Sequence, residues 1–155
     1  MNALKFQQDA LTVHMRKGDK DDKSVAWLEK DTDHVVLFLN RAVAAFFSKE
    51  DVALDLSKLV SVQSVKPMVD RAEASMVKDN LLKPSDEYRV MQPGNKKVRI
   101  YQARAWRTGI DQSLLKYFDP FTMRLYQMED KGTILITEKN GANEEPVGIV
   151  MPVRI

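Results

Sequence analysis

Residues 107–155 read RTGIDQSLLKYFDPFTMRLYQMEDKGTILITEKNGANEEPVGIVMPVRI, and this stretch decides the fold. Gly109-Ile110-Asp111 leads into Gln112-Ser113-Leu114-Leu115-Lys116-Tyr117-Phe118. Asp111 is a residue type that caps helices. Leu114, Leu115 and Phe118 then fall on one side of a short helix, and Pro120 stops it. Three apolar runs follow, Thr122 to Met128, Gly132 to Glu138 and Val147 to Ile155, with Asn140-Gly141 as the turn between the last two. Chain ends usually fray into solvent. An apolar run that continues to Ile155 therefore predicts a tail held in place, its side chains either closing a core or presenting a surface.

Working back towards the N-terminus, Pro93-Gly94-Asn95 marks a turn between runs at Tyr88 to Met91 and Lys97 to Ala105, which predicts a hairpin. Val65, Met68, Val69, Ala72 and Met76 recur at three- and four-residue steps, predicting a helix over Val65 to Lys78 with Ser64 as its cap and Pro67 in the first turn. His34 to Leu39 and Ser24 to Lys30 read as strands. Leu11, Val13 and Met15 alternate, so Leu11 to Lys17 reads as a further strand, joined to Ser24 through the polar loop Gly18 to Lys23. Asn40 to Phe47 fits a short helix or more strand, and Leu54 to Val62 is equally open. Helices interrupting antiparallel hairpins predict an α+β fold, antiparallel sheet or sheets carrying two or three packed helices. The division expected is a hairpin-rich part over residues 1–50, continuous or not with the rest, and an α+β domain over 51–155.

Composition narrows function. The chain has 155 residues, 44% of them hydrophobic and 30% charged, enough for one domain with a real core. It has no cysteine, which excludes disulfide scaffolds and thiolate metal sites. The opening MNALKFQQDALTV lacks the apolar centre of a signal peptide, and no run nears the roughly 18 residues that span a bilayer. A cytoplasmic protein without membrane contact is expected. His14 and His34 sit in separate segments, each read as structural. Asp19, Asp21 and Asp22 lack the spacing and closing glutamate of a calcium loop, so Gly18 to Lys23 reads as a solvated loop. There is no phosphate loop and no nucleophile elbow. Glu144-Glu145 reads as a like-charged loop pair. No catalytic residue, metal or cofactor is expected, and a binding module is favoured over an enzyme.

Lys96, Lys97, Arg99, Arg104 and Arg107, interleaved with Tyr101 and Trp106, form the chain's basic cluster. Alternation places Lys97, Arg99 and Tyr101 on one strand face and Val98 and Ile100 on the other. This is either a face contacting phosphates with aromatic support or an ordinary solvated sheet face. The formal net charge of +2 predicts at most weak DNA binding.

The string from Arg107 to Ile155 resembles the end of the bacterial DNA polymerase sliding clamp, the β subunit. The resemblance rests on Gly109-Ile110-Asp111 before a short helix, on Leu114, Leu115 and Phe118 as its buried face, and on Met123, Leu125, Ile134 and Ile136 in the next strands. Its most specific part is the terminal Ile149-Val150-Met151-Pro152-Val153-Arg154-Ile155. The match covers about a third of the chain. It implies a clamp-like (processivity-fold) domain, non-enzymatic, working in DNA replication or repair. Clamp chains hold three such domains and pair into a ring; this chain has room for one domain, and a homo-oligomer is one expectation. The resemblance also implies that Ile149, Met151, Pro152 and Val153 line an apolar groove for short peptides of replication or repair partners. Plain core packing is the competing reading of these four side chains, and an unrelated α+β protein- or ligand-binding module is the competing function.

Overall fold

The computed structural model describes residues 1–17 and 23–155. The fold is α+β: a mixed seven-stranded sheet, a three-stranded sheet and, among the described residues, two α-helices. Helix α1 spans Ala3–Lys17, followed by β1 (Val25–Glu29), β2 (His34–Leu39) and β3 (Val43–Ser48). A two-residue β4 (Val60–Ser61), helix α2 (Lys66–Glu73) and the strands β5 (Lys83–Met91), β6 (Lys96–Gln102) and β7 (Arg107–Asp111) come next. After one 3-10 turn at Gln112–Leu115, β8 (Met123–Tyr126), β9 (Ile134–Asn140) and β10 (Asn143–Val150) end the fold.

The large sheet runs β4-β1-β2-β3-β10-β9-β8, and the small one β5-β6-β7. All pairings in the large sheet are antiparallel except β1 with β4. Because β3 pairs with β10, residues 1–50 and 51–155 share one sheet. The central strands are apolar on both faces, and both faces are covered. On one side Val35, Leu37, Val43, Phe47, Ile134 and Ile136 pack under α1 and the Leu115–Phe118 segment. On the other, Val36, Phe38, Ala44, Phe46, Leu135 and Ile149 pack under Val69 and Ala72 of α2.

The two sheets are stitched at both ends. Leu81, just before β5, bridges Tyr126 of β8, and Val153, just after β10, bridges Gly109 of β7. Pairing thus runs β10–β9–β8–β5–β6–β7 and returns through the tail to β10, a closed circuit of backbone contacts. The bridges cap the outer edges of β7 and β8, which would otherwise expose unpaired donors and acceptors, while the outer side of β5 itself stays unpaired among the described residues.

Several expectations need correction. Leu11 to Lys17 is the second half of α1, not a strand. Asn2 caps the helix, its side chain accepting from the Lys5 amide at 3.0 Å, and the buried positions Phe6 and Ala10, with Ala3 and Val13 packed beside them, keep helical spacing. The loop expected over Gly18 to Lys23 lies almost wholly outside the described residues. Helix α2 stops at Glu73, and Val65 rather than Ser64 precedes it, with no side-chain cap. Asn40 to Phe47 resolves into a turn, with Asn40 and Arg41 at positive φ, leading into β3. Asp111 does cap, accepting from the Ser113 amide at 3.0 Å, but the element it caps is a single 3-10 turn. Leu115 and Phe118 are buried and Leu114 packs against the same cluster, and the last three strands are antiparallel neighbours, as their sequence order predicts. The terminal strand stops at Val150.

Candidate functional site

The tail is positioned by two backbone hydrogen bonds. The Met151 amide donates to the Ala42 carbonyl at 2.9 Å, and the chain then leaves the large sheet. The Val153 amide donates to the Gly109 carbonyl of β7 at 2.8 Å. Glycine at 109 makes this approach possible. A Cβ there would lie 2.7 Å from Ile155 Cγ2, 2.8 Å from Val98 Cγ1 and 3.2 Å from the Val153 carbonyl oxygen.

Two depressions flank the tail. The larger, about 560 Å³, runs between Trp106, Arg107 and Thr108 on one wall and Pro152, Val153 and Arg154 on the other. Trp106 is fixed from beneath: its Nε1 donates at 2.7 Å to Oε1 of Gln127, a fully buried side chain. The Gln127 amide in turn donates to the Gly132 carbonyl at 2.8 Å and to the Thr108 hydroxyl at 3.4 Å. A buried amide with this many partners holds one orientation, and so therefore does the indole. The smaller depression, about 280 Å³, is lined by Phe38, Val62, Val65 and Met68, with Lys23 and Arg41 beside them. Met151 lines both. Its thioether accepts from the Thr133 hydroxyl at 3.7 Å, and an unbranched apolar side chain suits a wall shared by two hollows.

Met151, Pro152 and Val153 are half-buried and border the larger cleft. Ile149 does not. It is fully buried on the α2 face of the sheet between β3 and β9, so it packs the core and lines no groove. The other groove walls come from segments far apart in sequence; of them the sequence singles out Arg107, as a basic candidate for phosphate contact, and Trp106, as an aromatic beside it, neither as part of a peptide groove.

The five basic residues do not gather into one patch. Arg107 pairs with Glu87 at 2.6 Å, and Arg104 sits 3.9 Å from Asp79. Hydrogen bonds from Arg89 and then Arg107 hold the Glu87 carboxyl below its usual range. Lys97 and Arg99 instead converge on Tyr88, at 4.7 and 5.3 Å from its ring centroid, and Lys96 is exposed at the start of β6. Arg99 also donates to the Ser85 carbonyl at 2.8 Å, and Tyr101, expected on the open face beside it, is buried in the core. His34 Nδ1 lies 2.8 Å from Asp31 in an exposed pair, and that hydrogen bond lowers the Asp31 pKa. His14 borders a small apolar hollow with Leu54 and Leu59. Among the described residues no three His, Cys, Asp or Glu side chains gather as a metal site. No helix among the described residues is long and apolar enough to cross a membrane. No protein-family model, curated protein or solved structure matches the chain.

Proposed function

We propose that this chain is a non-enzymatic, clamp-like binding module of DNA replication or repair that captures short peptides at its tail. It either holds clamp-binding peptides or imitates the end of the clamp and diverts the clamp's partners. The observation that carries this reading is the position of Met151. Of the four residues singled out by the tail's resemblance, Met151 is the common wall of two adjoining depressions, one with an immobilised tryptophan, the other apolar. An extended peptide laid across Met151 can place one apolar side chain in each hollow, the arrangement that gives a few anchors most of the binding energy. At the rims Lys131 and Arg154 stand with Asp130 by the larger cleft and Lys23 stands by the smaller, a basic excess that favours an acidic residue beside the anchors.

Titrating a fluorescein-labelled clamp-binding peptide, read by anisotropy, tests the proposal. Binding is expected for the native chain, with at least a roughly tenfold loss in Met151→Ser, the scale of one lost anchor. Absence of binding to the native chain, or binding indifferent to Met151, favours the competing reading of an unrelated α+β binding module. Direct DNA contact is the subsidiary proposal, centred on Lys96, Lys97 and Arg99 around Tyr88, with Arg107 held by Glu87 and Arg104 exposed 3.9 Å from Asp79.

A further inference from the structure

Strand β5 is the long edge that the fold leaves open. The tail covers β7, Leu81 covers β8, and the outer edge of β1 carries β4 and the Gln63 side chain, which bonds both the amide and the carbonyl of Glu29. Among the described residues no strand pairs with the outer side of β5. Tyr88 and Val90, two of the exposed large hydrophobic side chains, alternate along it at 45% and 69% exposure. An open edge of this kind is a template for another strand.

We infer that the occupant of this edge is the β5 of a second copy, paired antiparallel about a two-fold axis through Tyr88. The sequence Asp86-Glu87-Tyr88-Arg89-Val90 specifies that register. Centred on Tyr88, the two tyrosines face each other, Glu87 faces Arg89 of the second copy, and Arg89 faces Glu87 of the second copy. Opposite charges directly across a strand pair are favourable and like charges are not. Shifting the centre one residue towards the C-terminus sets Arg89 against Arg89, and one residue towards the N-terminus sets Glu87 against Glu87. The self-complementarity thus selects one register. Within one chain Glu87 already meets Arg89 at 2.8 Å and Arg107 at 2.6 Å, all three side chains being well exposed, so the pairing joins two such rows into one of alternating charge. Pro84 and the irregular register between Pro84 and Tyr88 end the ladder on the N-terminal side, keeping it short. One short strand pair buries less than the area typical of stable complexes, so the dimer is a concentration-dependent one. It joins the two three-stranded sheets into one of six strands and sets the two Tyr88–Lys97–Arg99 groups side by side. This inference is independent of peptide capture at the tail, which lies by the opposite edge of the same small sheet.

Sedimentation equilibrium of the full chain up to millimolar concentration tests it. The weight-average mass should rise from 17.7 kDa towards twice that value. Glu87→Arg and Arg89→Glu should each remain monomeric alone, associate when mixed, and recover self-association when combined in one chain, with circular dichroism confirming that all remain folded. The absence of native cysteine allows a second measurement. Under mild oxidation Tyr88→Cys should cross-link to its copy faster than Val90→Cys, because only position 88 faces itself. A native chain that stays monomeric throughout, self-association unchanged by the charge reversals, or equal cross-linking at both positions overturns the inference.

Discussion

Replacing Gly109 by alanine separates the tail's role in stability from its proposed role in peptide binding. The added Cβ meets Ile155 Cγ2 at 2.7 Å and Val98 Cγ1 at 2.8 Å. Val98 is buried and has nowhere to go, whereas Ile155 is 45% exposed and sits at the end of the chain. The tail therefore yields. The loss is the Val153–Gly109 hydrogen bond, worth about 0.5–1.5 kcal/mol net, and part of the burial of Val153 and Ile155. The sum is about 1–2 kcal/mol, or roughly 2–8 °C in Tm for a domain of this size. Gly148→Ala is the comparison. There the Cβ collides with the Ala44 carbonyl oxygen and with two Phe118 ring carbons, at 2.8 and 2.9 Å, all in the core. Nothing at that position can swing into solvent, so the destabilisation should exceed that of Gly109→Ala and reach about 3 kcal/mol or more. Peptide affinity should rank the other way. Gly109→Ala displaces Pro152 and Val153 from the cleft and should weaken binding about tenfold, or roughly 1.4 kcal/mol, while Gly148→Ala, assayed below its Tm, should bind nearly as the native chain does. Thermal melts and anisotropy titrations of the two variants give both rankings. Equal stability losses, or native affinity in Gly109→Ala, would refute the assignment of the tail as a displaceable groove wall.

Three further outcomes are expected. Deleting Met151 to Ile155 opens the circuit of strand pairing but leaves the seven-stranded sheet, so the chain should melt earlier and cooperatively while losing peptide binding; a truncated chain that still binds contradicts the site. Burial tends to raise the Glu144 pKa, but hydrogen bonds from Tyr126 at 2.5 Å and Thr137 at 2.7 Å outweigh it and leave the carboxyl below its ordinary 4.5. Its contribution is therefore present above about pH 4.5 and lost as pH falls through the lowered value, so the stability gap between the native chain and Glu144→Gln, about 1 kcal/mol at neutral pH, should close in acid. Burial and the same contact push Tyr126 up to about 12, so its share persists below pH 10 and disappears as pH rises through that value; melts across the pH range that show no convergence in acid contradict the linkage. DNA binding, measured by titration at several salt concentrations, should be weak, and Lys97→Ala with Arg99→Ala should lower the log–log salt slope by about 2; binding indifferent to both substitutions counts against a DNA role.

The parts of the fold that could be read from sequence were those where one period dominated locally. Asn140-Gly141 turns between apolar runs, and β9 and β10 pair across it. Pro93-Gly94-Asn95 does the same for β5 and β6. The second half of helix α1 reads as a strand because two periods coexist in it. Leu11, Val13 and Met15 alternate as a strand would, but Leu11 and Met15 are exposed. The buried set, Ala3, Phe6, Ala10 and Val13, keeps the helical step, with Asn2 as its cap. Sequence alone cannot tell which apolar set will meet a core, since that depends on Phe47 and Tyr117, which pack on Phe6 from distant segments.

The groove was half legible for a related reason. Strand alternation puts Ile149 and Met151 on the same side of the terminal strand, and the sequence treats them alike. The structure separates them by their neighbours. Ile149 has β3 and β9 on its flanks and α2 above, while Met151 comes after the last ladder pair, Val150 with Val43, where the backbone has left the sheet. Pro152 has no N–H to donate and so could not have continued the ladder, which makes the departure itself readable in the Met-Pro step. The walls facing Met151 were not readable. Phe38, Val62, Val65 and Met68 look like ordinary core side chains in their own segments, and only the closing of β7 onto the tail through Gly109 brings Trp106 opposite Pro152. A site built between chain segments has no local spacing to betray it, so the tail gave away one wall and the fold had to supply the other.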